Sequence, residues 1–238
     1  MTPGPIALVG SGEYLPVMLE MERELFVGRP NKYVQIPLAA GLESEASFEY
    51  WIRLGQEQAD RLAVESVALR VRDRDEANNA LHAQSVRGAG LIYLSGGDPV
   101  HLAKSLLNTV LWQTILEEWQ NGAALAGCSA GAIALTSWVP ALRTPLKEPM
   151  PGLGLLPHLR VLPHFDRMFT RIPELFTRFT DAPIGVSVIG IDEDTAIIGG
   201  PHEWTVRGRQ SVWLIKGKKR QEFRAGQKFH TDEVPVSQ

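Results

Sequence analysis

The stretch Gly127-Cys128-Ser129-Ala130-Gly131-Ala132 decides how the rest of the chain is read. It follows the apolar run Ala123-Ala124-Leu125-Ala126 and leads into the helix-prone Ala132-Ile133-Ala134-Leu135. That order is strand, sharp turn, helix, with Gly-x-Ser-x-Gly at the turn. Such an elbow holds its central residue in a strained backbone conformation, and glycines on either side let strand and helix approach without Cβ clashes. The serine oxygen then stands exposed beside a helix start, where an oxyanion would be stabilised. Cys128, the single cysteine, lies one place before the elbow centre and is expected to be a small buried residue rather than a nucleophile.

Outward from the elbow, apolar runs alternate with helical patterns. Ile6–Val9 reads as a strand ending in Gly10-Ser11-Gly12. That Gly-x-Gly lacks both a third glycine and a Gly-Lys-Ser/Thr, so it reads as a tight turn rather than a phosphate loop. A helical pattern covers 15–26, a strand 33–39, a helix 44–63, a strand 64–71 and a polar helix 73–86. A fourth strand, Ala89–Leu94, ends in Ser95-Gly96-Gly97-Asp98-Pro99, and helices follow over 100–120. Continuously apolar strands alternating with helices predict an α/β fold, a mostly parallel sheet sandwiched by helices. Ligands of such sheets sit at the C-terminal strand ends, so Ser95–Pro99 and the elbow are expected to face one site.

After the elbow, residues 140–157 carry five prolines with Arg143 and Lys147, an excursion that is either a lid or a connector. Leu159–Pro163 reads as a short strand ending in His164-Phe165, followed by a helix bearing Arg167, Arg171 and Arg178. Val186–Ile191 reads as a buried strand ending in Asp192-Glu193-Asp194. From Thr195 to Phe229, short β-prone runs with Gly turns predict antiparallel strands closing the sheet. Neither an internal repeat nor a linker stands out, so residues 1–238 are expected to form one domain.

Composition narrows the function classes. The 238 residues are 44% hydrophobic and 21% charged, with a net charge of −3, and they show no basic face or acidic tail. Nucleic acid and anionic membrane are therefore not expected partners. No Cys/His group has zinc spacing, so neither metal nor cofactor is expected. The opening Met-Thr-Pro-Gly-Pro lacks a cationic segment and a long apolar run, and a cytoplasmic protein is the simplest inference. A homodimer stays open.

A serine nucleophile needs a base, and the base needs an orienting acid. Downstream of the elbow lie His158, His164, His202 and His230, of which His164 sits at a strand end. The acids at the next strand end are Asp192, Glu193 and Asp194. An α/β-hydrolase-type esterase using His202 or His230 is one rival, and a silent ligand-binding domain is another.

These pieces together resemble the dipeptidase E and cyanophycinase family of serine peptidases, whose fold is like that of class I glutamine amidotransferases. The matching residues are Gly127–Ala132, Gly96-Gly97-Asp98, His164-Phe165 and Gly190–Ala196. The resemblance implies Ser129 as nucleophile, His164 as base, Glu193 as acid, and the N–H groups of Gly97 and Ala130 as an oxyanion hole. Cyanophycinases tend to carry Asp-Gln before the His-Phe and Gln after the Gly-Gly-Asp; here stand Leu162-Pro163 and Pro99. Loss of those polar groups argues against the branched Asp–Arg polymer as substrate. An acidic substrate would need a cation, for which Arg143, Arg167 and Arg171 are the candidates.

Overall fold

The computed structural model describes residues 2–140, 148–168, 180–217 and 219–231. Arg143, Lys147, Arg171 and Arg178 lie outside the described residues.

Eight strands form the larger sheet. Its parallel part consists of β1 (Ile6–Val9), β2 (Lys32–Ile36), β3 (Glu65–Ala68), β4 (Leu91–Leu94) and β5 (Ala124–Cys128). Beyond β1 the sheet continues antiparallel through β8 (Thr195–Gly199), β9 (Glu203–Gly208) and β12 (Lys228–His230). The spatial order is β12-β9-β8-β1-β5-β4-β2-β3, which puts β1 and β5 side by side near the middle. Every residue of β1, β4 and β5 is buried, as expected of strands covered on both faces.

The helices divide between the two faces. Alternate residues of the central strands, Ala7, Val9, Tyr33, Tyr93, Ala126 and Cys128, pack against α1 (Leu19–Phe26) and α2 (Glu45–Leu62). The other set, including Leu8, Ile36, Ile92 and Leu125, packs with α4 (Ala80–Val86), α5 (Pro99–Leu106), α6 (Val110–Gln120) and α7 (Ala130–Ala134). Helix starts follow their caps. The Ser44 side chain accepts from Ser47 N–H to open α2, and Asp98 accepts from Val100 and His101 N–H to open α5. The helix expected over 73–86 is instead two, α3 (Arg74–Ala77) and α4. Asn79 breaks the pattern by turning its side chain to the Leu81 N–H.

The C-terminal strands do not all close the main sheet. β6 (Leu159–Leu162) and β7 (Ser187–Ile191) are parallel neighbours in a second, four-stranded sheet with β10 (Ser211–Lys216) and β11 (Lys219–Arg224). An apolar run states that a strand is buried, not which sheet it joins. The chain passes from one sheet to the other through three residues, Asp192-Glu193-Asp194, between β7 and β8. The connector after the elbow helix is tied down once it re-enters the described residues. Leu153 N–H donates to Ala134 O, Leu156 N–H donates to Leu135 O, and both leucines are buried. Among the described residues, no helix is long and apolar enough to cross a membrane.

Candidate active site

Ser129 caps α7 with φ 48° and ψ −104°, between the end of β5 and the first helical turn. A side chain on Gly127 would meet the Gly131 carbonyl carbon at 2.6 Å, and one on Gly131 would meet Leu94 O at 2.2 Å. The two glycines therefore answer a lack of space where helix, elbow and β4 converge, as the motif implies. On the other side, Gly97 takes φ 138°, and a Cβ there would lie 2.5 Å from Ala39 O. The Gly96-Gly97 turn runs alongside the elbow, since a Cβ built on Gly96 would sit 3.5 Å from Ser129 Cβ. Ala130 opens the helix, so its N–H is one that helical bonding leaves unpaired.

The structure brings the other two expected residues to this point from the second sheet. Ser129 Oγ lies 3.1 Å from His164 Nε2, and His164 Nδ1 lies 2.9 Å from Glu193 Oε1. His164 follows β6 and Glu193 follows β7, adjacent parallel strands, so a line of hydrogen bonds crosses from one sheet to the other. Six non-glycine residues have positive φ among the described residues, and they include Ser129, His164 and Asp194, the residue after Glu193. Such strain persists where the surroundings hold it in place.

Phe165 supplies part of that hold. Its ring is buried with Leu162, Val188 and Ile215, near Trp213 at 6.1 Å. A methyl on Gly190 would be 2.5 Å from Phe165 Cγ, so β7 must carry glycine where the ring lies against it. This gives the Phe of His164-Phe165 and the Gly of Gly190–Ala196 a shared packing reason. Leu162 and Pro163 are both buried, so they form the support beneath His164 and not an exposed wall.

The three acids separate cleanly. Asp192 is buried; it accepts from Trp213 Nε1 at 3.1 Å and from Ser211 N–H at 3.2 Å, and burial raises its carboxyl above the usual range. Asp194 turns to Arg209 at 3.7 Å. Only Glu193 reaches the imidazole, and its second oxygen receives Arg167 Nε at 2.8 Å. Arg167, a candidate for substrate, is thus engaged with the acid, although its side chain is 71% exposed. His202 packs against His158 with tilted rings, centroids 4.2 Å apart, and His230 is exposed on the edge strand β12.

Three further residues escaped the sequence reading. Asp166 Oδ1 accepts from the Glu193 N–H at 3.0 Å, and Gln210 Nε2 donates to the Glu193 carbonyl at 3.0 Å, so the acid's own backbone is held. Glu13, just beyond β1, is buried; it accepts from the Gly96 N–H at 2.9 Å and meets Cys128 Sγ at 2.9 Å. Cys128 is buried as expected, and burial together with Glu13 pushes its thiol well up. The available signal for Glu13 was its place directly after a strand-end glycine turn, where parallel sheets gather their ligand contacts.

The sequence signature of Peptidase family S51 matches residues 6–205. The chain belongs to peptidase family S51. It is a serine-type peptidase, a hydrolase. It is similar to a cyanophycinase of Trichormus variabilis, 27% identical over 226 residues, which covers 90% of this chain and 74% of that protein. A cyanophycinase of Geminocystis herdmanii is 30% identical over 159 residues, covering 63% and 58% respectively. In structure, a peptidase from an acI-B1 Actinobacterium superposes with a TM-score of 0.88 at 44% identity, covering 96% of this chain and 97% of its own. A putative peptidase E protein from Listeria monocytogenes shares the fold, with a TM-score of 0.60 at 19% identity, covering 94% and 100%.

Proposed function

We propose that this chain hydrolyses short peptides through an acyl-enzyme on Ser129, with His164 as general base and Glu193 as the acid that orients it. The observation that carries this is the unbroken sequence of contacts, 3.1 Å from Ser129 Oγ to His164 Nε2 and 2.9 Å from His164 Nδ1 to Glu193 Oε1. Ser129 Oγ attacks the scissile carbonyl carbon while its proton passes to His164 Nε2. The N–H groups of Gly97 and Ala130 receive the oxygen that becomes negative. The tetrahedral intermediate collapses, the amine leaves with the proton from His164, and an ester to Ser129 remains. Water, deprotonated by the same nitrogen, then releases the carboxylate product. Glu193 fixes the imidazole tautomer and stabilises the imidazolium, and Arg167, Asp166 and Gln210 hold Glu193 in turn.

The substrate is a short peptide rather than the branched Asp–Arg polymer, in a reaction that needs neither metal nor cofactor. Support comes from the sequence: Leu162-Pro163 and Pro99 stand where cyanophycinases tend to carry Asp-Gln and Gln, and all three are buried, so they bring no polar side chain to a charged substrate. The similar proteins from Trichormus and Geminocystis are named cyanophycinases, so polymer cleavage is the rival to exclude. We further infer that residues 1–238 work as one unit in the cytoplasm. The test is hydrolysis of a dipeptide panel by the wild type and by Ser129→Ala and His164→Ala. Each substitution lowers kcat by about 10⁴-fold; retention of the wild-type rate by Ser129→Ala contradicts the mechanism.

A further inference from the structure

Glu13 does not belong to the line of groups that move the proton, yet its carboxylate sits directly behind the elbow. It lies on the loop that follows β1, and its side chain reaches Gly96, just after β4, and Cys128, at the end of β5. Its two oxygens are used separately: Oε1 takes the Gly96 N–H at 2.9 Å, and Oε2 takes the Cys128 thiol at 2.9 Å. The side chain is buried, with 8% of the residue exposed. One carboxylate therefore ties the β1 loop to the turn after β4 and to the residue preceding the nucleophile, across sequence separations of 83 and 115.

The carboxylate lies close against the turn. A Cβ on Gly96 would lie 2.5 Å from Glu13 Oε1, so a side chain there would displace the carboxylate from the Gly96 N–H. Turning the Gly96 N–H toward Glu13 fixes the peptide plane before Gly96, and with it the course of the backbone into Gly97 at φ 138°. The Gly97 N–H is the proposed oxyanion donor, and donor placement sets how strongly the developing charge is stabilised. A backbone turn rich in glycine has no conformational preference of its own to hold such a placement. The Glu13 carboxylate supplies what the two glycines lack.

We propose that Glu13 is a positioning residue: by fixing Gly96 and Cys128 it sets the geometry of the oxyanion donors on either side of Ser129. This inference rests on Ser129 being the nucleophile, and the test separates the two claims. A fluorophosphonate is the probe. Ser129 Oγ forms a bond to phosphorus, the P–F bond breaks, fluoride leaves and the serine proton passes to His164, with an oxyanion on phosphorus in the same hole. The variants are Glu13→Ala, which leaves the Gly96 N–H without its acceptor, and Glu13→Gln, whose amide oxygen still accepts from it.

The maximal inactivation rate of Glu13→Ala falls about 10- to 100-fold, less than the loss when an oxyanion donor is removed outright. Its reversible affinity for the probe stays within about twofold, and Glu13→Gln restores the rate to within about threefold of wild type. Rates are referred to protein that melts as a folded species, which takes out a purely structural defect. If Glu13→Ala does not fold, Glu13→Asp, one methylene too short to reach Gly96, is read by the same ratio. An unchanged inactivation rate in the substituted protein, or a loss that falls wholly on affinity, overturns the role of Glu13. Failure of the wild type to react at Ser129 overturns the nucleophile instead.

Discussion

Glu22 provides a test of the fold's electrostatics that can be worked through in numbers. It lies on α1, fully buried against the sheet, where Tyr33 Oη donates to its Oε2 at 3.2 Å. Burial raises its pKa from 4.5 to about 8, against the partial offset of Gln58, the Tyr33 hydrogen bond and nearby Arg61. In the unfolded chain the carboxyl ionises at its ordinary value. Below pH 4.5 both states hold the proton, and Glu22 costs nothing on this account. Between that value and about 8 only the unfolded chain ionises, so stability falls by about 1.4 kcal/mol per pH unit. Above pH 8 both states are ionised and the loss levels off at about 5 kcal/mol. Glu22→Gln keeps an oxygen for Tyr33 and removes the titration. Urea unfolding of both proteins at pH 5, 6, 7 and 8.5 reads the difference, and every other titrating group cancels. The variant gains on the wild type as pH rises, by about 4 kcal/mol across the series. A difference that stays constant with pH refutes the reasoning.

The site gives three further expectations. Glu193→Gln lowers kcat by about 10³-fold or more with the melting temperature kept, whereas Asp192→Asn, whose carboxylate serves Trp213 and Ser211, stays within about threefold of the wild-type rate; the reverse order in a dipeptide assay contradicts the assignment of the acid. Gly190→Ala drives a methyl into the Phe165 ring and costs about 1–3 kcal/mol of stability, and the shift of Phe165 carries His164 with it and lowers kcat; unchanged urea midpoint and rate would show that Phe165 does not anchor the histidine. In a side-by-side kcat/KM comparison, short peptides are cleaved and the Asp–Arg polymer is not, and rapid polymer cleavage removes the substrate reading.

Which parts of this molecule were legible in the sequence follows from how local each determinant is. β1 at Ile6–Val9 and α2 with its Ser44 cap are read from adjacent residues, because an apolar run between turn signals and a capping side chain are local events. The strand expected over 33–39 stops at Ile36, because Pro37 cannot donate to a ladder and Leu38–Ala40 turn into a short 3-10 segment. The division into two sheets was not legible, since Val188–Ile191 would be equally buried in either. In the site, Ser129, His164 and Glu193 each stand at a strand end within a short motif, and the structure brings them into contact. Asp194, with a φ of 53°, has already left the extended backbone of β7, and its carboxylate turns to Arg209. Glu13 and Gln210 act through contacts between segments far apart in the chain, and such pairings leave no local spacing to read.

The central claim, that the elbow serine forms the covalent intermediate, is tested most directly by where a fluorophosphonate attaches. After reaction of the native protein, intact mass and peptide mapping give one adduct per chain, located on Ser129. Ser129→Ala gains no mass, and Cys128→Ala still reacts at Ser129. An adduct on Cys128, or a wild-type chain that stays unmodified, contradicts the account.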